Sequence, residues 1–467
     1  MNAARAKRMM ARRCGRVAAT RIAAGAALLA IVAGFGAVQA QMRPQLQAQA
    51  TAGAAVSPGS VTSPGSAGAG GSVGVARSPG SAIATGEYLA RAGDCVACHT
   101  PRGGEPFTGG LPMKTPFGTL YTPNITPDPE NGIGRWSADD FWRALHEGRS
   151  RDGSLLYPAF PYTNYTKVTR ADSDALFAYL KSLKPVKKRN RPHDMSFPFN
   201  QRNLMLGWRA LYFESGEYSP HPNQSAEWNR GAYLVQGLGH CDACHTSRNM
   251  LGATVKSKEF SGGLIPLQDW YAPSLTSNRE AGLGQWNIDD VVALLRTGVS
   301  NRGVVFGPMA QVVHDSLQYI NEADTRAMVV YLKSLAQEGV PSDPLQVRPT
   351  EEQSRAAYDA GAKLYDLHCK SCHQANGSGA PPAYPPLANN QAITMEFAVN
   401  PVRMVLFGGF PPATKGNPRP YGMPPFAYIL NDEEVASVVT YMRQSWGNRG
   451  NAVSAADVAR YRIVPVD

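Results

Sequence analysis

Three copies of Cys-x-x-Cys-His constrain this chain more than any other feature. They run Cys95–His99, Cys241–His245 and Cys369–His373. Six of the seven cysteines sit in these motifs, and the seventh is Cys14. Whatever the chain folds into must present two thiols and one imidazole from a single turn, three times over. That is the attachment signature of c-type haem. The thiols of Cys95 and Cys98, of Cys241 and Cys244, and of Cys369 and Cys372 add across the porphyrin vinyl groups. The histidine that follows, His99, His245 or His373, is the expected proximal ligand of the iron. Structural zinc fits poorly, because it usually takes four ligands and often two Cys-x-x-Cys pairs per site. A redox dithiol would need a βαβ context that the sequence lacks. Disulfides would leave the recurring histidine unexplained. The expected cofactor is therefore three covalently bound haems c.

The motifs are embedded in a longer repeat. GEYLARAGDCVACHT (Gly86–Thr100) returns as GAYLVQGLGHCDACHT (Gly231–Thr246), and GAKLYDLHCKSCHQ (Gly361–Gln374) is a third version. Each copy predicts a helix leading into the motif. Each repeat also closes on a helical pattern containing a tyrosine, at Ala175–Leu183, Ala327–Leu335 and Val435–Trp446. Ser137 and Asn287 each precede a pair of aspartates, the pattern of helix N-caps. A period this long means tandem domains, not a solenoid. The expected layout is a signal peptide at 1–40, a Ser/Pro/Gly/Ala linker at 41–84, and domains at 85–222, 223–343 and 344–450. A tail occupies 451–467. The linker repeats SPGS and has too little apolar surface to offset its ordering entropy.

A haem used for electron transfer commonly takes methionine as its sixth ligand. Met309 in VFGPMAQ and Met423 in YGMPPF lie on expected loops, 22 and 18 residues before the closing tyrosines Tyr331 and Tyr441. They are the expected sixth ligands of the second and third haems. The first repeat has Phe160 at the matching place, and phenylalanine cannot ligate iron. Either that haem is five-coordinate or another side chain reaches it, from among Met113, Met195, Met205, His146 and His193. Met205, in FPFNQRNLMLGW, is the preferred candidate because that segment follows the domain and can fold back over it.

The formal charge of +10 is misleading. The first 40 residues carry seven basic side chains and no acid, which leaves +3 for the rest. A basic run ending at Arg21, an apolar run Ile22–Val38 and small residues before Gln41 have the order of a cleaved secretory signal. The expected location is the periplasmic side of a bacterial cytoplasmic membrane. The basicity belongs to this segment and does not indicate nucleic-acid binding. The chain shows no phosphate-binding Gly-rich loop and no nucleophile–base signature. Substrate oxidation is therefore expected of a partner. A free electron shuttle, or a haem enzyme with an open first haem, are the other readings.

TPFGTLYTPNITPDPENGIGRW (Thr115–Trp136), LLYPAFPY (Leu155–Tyr162), WNRGAYLVQGLGHCDACHT (Trp228–Thr246), YAPSL (Tyr271–Leu275) and SWGN (Ser445–Asn448), together with the three motifs, carry a family resemblance. The chain resembles the triheme cytochrome c subunits of bacterial membrane-bound dehydrogenases, over about Gly86–Arg449. The resemblance implies a mainly α fold of three tandem class I-like cytochrome c domains, each with a few helices around one haem. It implies a large dehydrogenase catalytic subunit, with or without a small subunit, and ubiquinone as the acceptor. The alcohol dehydrogenase subunits read AMPY where this chain has AFPY (Ala159–Tyr162), and they lack FPFNQRNLM. Those departures are more similar to cytochromes paired with molybdopterin aldehyde or N-heterocycle hydroxylases. Flavin-linked sugar and sugar-acid dehydrogenases have subunits of the same type.

Overall fold

The computed structural model describes residues 79–278, 282–336 and 346–463. The expected signal segment, residues 41–78 of the expected linker and residues 341–345 of the second boundary lie outside the described residues. Helices dominate, and the strands are short.

Three crossed helix pairs form the frame. Pro79–Ala92 packs on Arg170–Ser182, Ala226–Gln236 on Glu322–Ser334, and Glu351–His368 on Asp432–Gln444. Each leading helix runs into a Cys-x-x-Cys-His turn, and each closing helix carries the repeated tyrosine. The glycine that opens each repeat has a steric reason. A Cβ on Gly86, Gly231 or Gly361 would lie 2.0, 1.9 or 2.1 Å from the carbonyl oxygen of Ala175, Ala327 or Ser437. Only a residue without a side chain lets these backbones meet. The closing helices start on Thr169, Asn321 and Asn431, whose side chains accept from the backbone N–H of Asp172, Asp324 and Glu434. Ser137 and Asn287 cap helices Ala138–Glu147 and Ile288–Thr297, as their patterns predict.

Small hairpins fill the loops between the helices. Pro112–Thr115 pairs with Gly118–Tyr121, to which Asp194–Met195 adds as a third strand. Gly263–Ile265 pairs with Trp270–Ala272.

The first two repeats share one hydrophobic core, which includes Leu89, Leu176, Val235, Leu238 and Val329. Their junction is reciprocal. The Tyr88 hydroxyl of the first repeat donates to Asp324 Oδ2 of the second at 2.6 Å. The Tyr233 hydroxyl of the second donates to Asp172 Oδ2 of the first, also at 2.6 Å. Tyr88 and Tyr233 each stand two residues after the crossing glycine, and Asp172 and Asp324 occupy equivalent places in the closing helices. Arg230 adds a bidentate pair to Asp324, with both N–O distances 2.8 Å.

The third repeat has its own core, including Val399, Leu406, Val439 and Val458. It meets the second through a different face. Asn400 bonds both the N–H and the carbonyl of Tyr271, and the rings of Tyr271 and Phe397 stack at 4.2 Å.

Two segments differ from expectation. Residues 79–84, expected in the linker, are helical. Pro79 is the first helical residue, where its fixed φ suits a helix start and its missing N–H costs nothing. Residues 455–462, expected in the tail, form a helix capped by Ser454. Val458 and Tyr461 are buried in the third core. Arg462 donates to the carbonyls of Ala427 and Leu430 and pairs with Asp432. Two apolar side chains on one short face are enough to dock this helix, and their spacing is too brief to read as a periodicity.

Candidate functional site

Each Cys-x-x-Cys-His closes in a single short helical turn, at Cys95–His99, Asp242–His245 and Lys370–His373. In all three the histidine Nδ1 is bonded to a proline carbonyl. His99 meets Pro123 at 2.8 Å, His245 meets Pro273 at 2.6 Å, and His373 meets Pro385 at 3.2 Å. A carbonyl can only accept, so Nδ1 carries the proton and Nε2 keeps its lone pair for a metal. Burial holds all three imidazoles below the ordinary histidine range, against the opposing pull of the proline carbonyl. They are neutral imidazoles, each pinned in one ring orientation.

The thiols show the complementary chemistry. Burial pushes Cys95, Cys98 and Cys241 up to about 12 and Cys369 up to about 11, and it raises Cys244 as well. Thiols held protonated are the reverse of what zinc or disulfide exchange requires. All six are free of disulfides. Among the described residues no cluster of His, Cys, Asp and Glu could hold a metal ion by itself. A pair of S–H groups beside a neutral, pinned imidazole fits a covalently held haem c. No described helix is long and apolar enough to cross a membrane.

Met309 and Met423 occupy related places. Met309 is the second residue of helix Pro308–Asp315, not a loop residue as expected, and it packs partly buried against the shared core. Proline at the first helical position starts this helix one residue before it. Met423 is fixed by a bridge to Gly409, with N–O distances of 3.0 and 2.8 Å, and it packs against the third core. In the first repeat Phe160 packs edge-on against Tyr165 at 5.2 Å.

The segment carrying Met205 does fold back. Arg202 donates to the Leu155 carbonyl and Arg209 to that of Glu147. Tyr157 donates to the Phe199 carbonyl, and Arg209 lies over the Tyr162 ring at 5.4 Å. Met205 opens helix Met205–Tyr212, half-buried beside the stretch where Phe160 replaces methionine. Of the other candidates, Met113, Met195 and His193 are engaged elsewhere, while His146 Nδ1 is buried with no hydrogen-bond partner. Met113 and Met195 lie in the three-stranded sheet. His193 Nδ1 accepts from the Tyr121 N–H. His146 stacks on Trp142 at 4.4 Å.

The first two turns abut each other's repeat. The turn Cys95–His99 packs against helix Pro308–Asp315, which carries Met309. The second turn meets the short helix Tyr162–Tyr165, where Asn164 Nδ2 donates to Asp242 Oδ1 at 2.5 Å. Asp94, just before Cys95, is pushed up to about 8 by burial, with Asp315 adding to the shift and Arg91 opposing it. Sequence reasoning missed this junction. Its one signal was that Tyr88 with Tyr233, and Asp172 with Asp324, recur at the same repeat positions.

The cytochrome c family profile matches residues 83–184 and 358–446. The chain is 40% identical to the cytochrome c subunit of alcohol dehydrogenase (quinone) from Gluconobacter oxydans, over 81% of each chain. It is 39% identical to the gluconate 2-dehydrogenase cytochrome c subunit of Pantoea cypripedii, over 81% of this chain and 88% of that one. It is 44% identical to one of the nicotinate dehydrogenase subunits of Pseudomonas putida, over 77% of this chain but only 30% of that longer protein.

Proposed function

This chain belongs to the family of dehydrogenase cytochrome c subunits, and on that premise we propose that it carries three covalently bound haems c. They relay electrons from a dehydrogenase catalytic subunit to ubiquinone at the periplasmic face of the cytoplasmic membrane. The observation that carries this reading is the threefold recurrence of a proline-pinned histidine behind two free thiols. Each bound haem supplies reversible one-electron exchange at its iron. Each of the three helix pairs holds one haem domain. The cysteine pairs would anchor the porphyrins, and His99, His245 and His373 would ligate the irons. Met309 and Met423 would be further ligands of the second and third irons. Met205, brought over the first repeat by its folded-back segment, would serve the first. Residues 1–40 direct export.

The catalytic partner oxidises an alcohol or aldehyde with a quinone or molybdopterin cofactor. AFPY and FPFNQRNLM favour the molybdopterin type, and the likeness to a nicotinate dehydrogenase adds support for a partner acting on an N-heterocycle. A flavin-linked sugar-acid dehydrogenase is the second reading, favoured by the gluconate dehydrogenase relative. The test is isolation of the haem-staining polypeptide from gently solubilised membranes, with mass spectrometry of what accompanies it. A large catalytic subunit is expected, and its cofactor decides between the two. A cytochrome that comes away alone, with a first haem that binds carbon monoxide, would overturn the relay in favour of a shuttle or a haem enzyme.

A further inference from the structure

The junction between the first two repeats is built from one face used twice. Counting from the crossing glycine, its positions are glycine plus two (Tyr88, Tyr233) and glycine plus six (Ala92, Gly237) on the leading helix. On the closing side they are the capping-turn carboxylate (Asp172, Asp324) and the residue two before the cap (Lys167, Tyr319). Each repeat's leading side meets the other's closing side. Tyr88 reaches Asp324, and Tyr233 reaches Asp172. A Cβ on Gly237 would lie 3.6 Å from Lys167 Cβ, and on the other side Arg91, the residue before Ala92, lies over the Tyr319 ring at 4.4 Å. The contact is self-complementary, as an isologous interface must be.

The third repeat carries the same four positions and leaves three of them exposed. The four are Lys363, Leu367, Glu434 and Ile429. Leu367 is 74% exposed, Ile429 60% and the adjacent Tyr428 98%. Large apolar side chains exposed at two of these positions and beside one of them are more than scattered surface hydrophobics. The polar pair has also changed. Where the first two repeats place a tyrosine opposite an aspartate, the third offers a lysine and a glutamate. Lys363 is exposed and makes no ion pair among the described residues. Its neighbours Asp366 and Lys370 pair with each other, and Asp432 pairs with Arg462. Glu434 spends Oε2 on the Asn431 N–H, at 2.9 Å, and has no described partner for Oε1.

We propose that a second copy of this chain docks on this face with twofold symmetry. Lys363 of each copy pairs with Glu434 of the other, and Leu367 of each packs on Tyr428 and Ile429 of the other. Charge selects the occupant. A face bearing one unpaired cation and one carboxylate with an oxygen still free, at positions that meet reciprocally in the first two repeats, is complementary to itself. The dimer would set the two third attachment turns near one another, as the first two are set within one chain.

The test is native mass spectrometry or sedimentation of the full-length, haem-loaded protein, taken with whatever subunit accompanies it. A dimer is expected. Lys363→Glu and Glu434→Lys should each weaken it about tenfold or more, and the double swap should restore it. A dimer indifferent to all three variants, or a wild type that stays monomeric, would overturn the proposal. A photo-crosslinking residue at position 428 in intact membranes gives an independent readout. Adducts between two copies support it. Adducts only to the catalytic subunit or to lipid would assign the face to those partners and overturn it.

Discussion

The ring of Tyr165 meets the imidazole of His240 edge-on, with centroids 5.7 Å apart, while its hydroxyl donates to the Gly93 carbonyl at 3.2 Å. Gly93 lies two residues before the first attachment cysteine, and His240 lies one before the third. A single side chain thus touches the approach to both turns. Tyr165→Phe loses one hydrogen bond and should cost about 1 kcal/mol. Tyr165→Ala opens a cavity between the turns and should cost about 3–5 kcal/mol. Thermal unfolding of the haem-loaded protein checks both, and equal losses would show that the ring contributes nothing.

The crossing glycines should tolerate a side chain poorly. Gly231→Ala or Gly361→Ala puts a methyl group about 2 Å from a carbonyl oxygen. The helices must separate, at a cost of about 1–3 kcal/mol or more. Gly153, whose Cβ would meet nothing within 4 Å, is no simple control, because its φ of 81° disfavours alanine. Gly207→Ala, in open space inside a helix, is the matched control and should be neutral or slightly stabilising. Yields of haem-loaded protein and melting temperatures separate the two classes.

Asp324 gives the junction between the first two repeats an acid limit. Burial pushes its carboxyl up, but Arg230 and Tyr88 together outweigh burial and hold it below the ordinary carboxylate value. A depressed acid stabilises the folded state above its unfolded value, and that contribution fades as pH falls through the lowered one. Melting temperature should therefore fall below about pH 4 in the wild type. In Asp324→Asn the fall should be shallower, from a start about 1–3 kcal/mol lower at neutral pH. Parallel pH profiles for the two proteins would show that this carboxylate plays no part.

The methionines are separable by spectroscopy. Met423→Leu and Met309→Leu should each convert one haem to a high-spin form that binds carbon monoxide when reduced, with a fall in its potential. Met205→Leu should do the same to a third, distinct haem, while Met195→Leu leaves the spectrum alone. A first haem already high-spin in the wild type would remove Met205 from the ligand set.

Much of this was legible in the sequence because the repeats expose it. The attachment motifs and the caps at Ser137 and Asn287 are local, so their neighbours along the chain reveal them. The contacts that join the repeats are not. Tyr88 and Asp324 each recur in register, but nothing in a periodicity says that the tyrosine of one repeat binds the aspartate of the other. The start of the first helix at Pro79 was hidden by the Ser/Pro/Gly composition around it. The helix at 455–462 was hidden because its stability comes from docking Val458 and Tyr461. Met309 lies in a helix because Pro308 starts one, where its spacing alone suggested a loop.

The crossed tyrosine–aspartate pairs also fix an order of assembly. Tyr88 finds its acceptor 236 residues further along, and Tyr233 finds one 61 residues behind it. A chain emerging from its amino terminus can therefore form the first helix pair early, but must leave Tyr88 without its acceptor until the second closing helix has been delivered. The junction between the first two repeats closes only then, and the surface that awaits it is the one beside the first Cys-x-x-Cys-His turn.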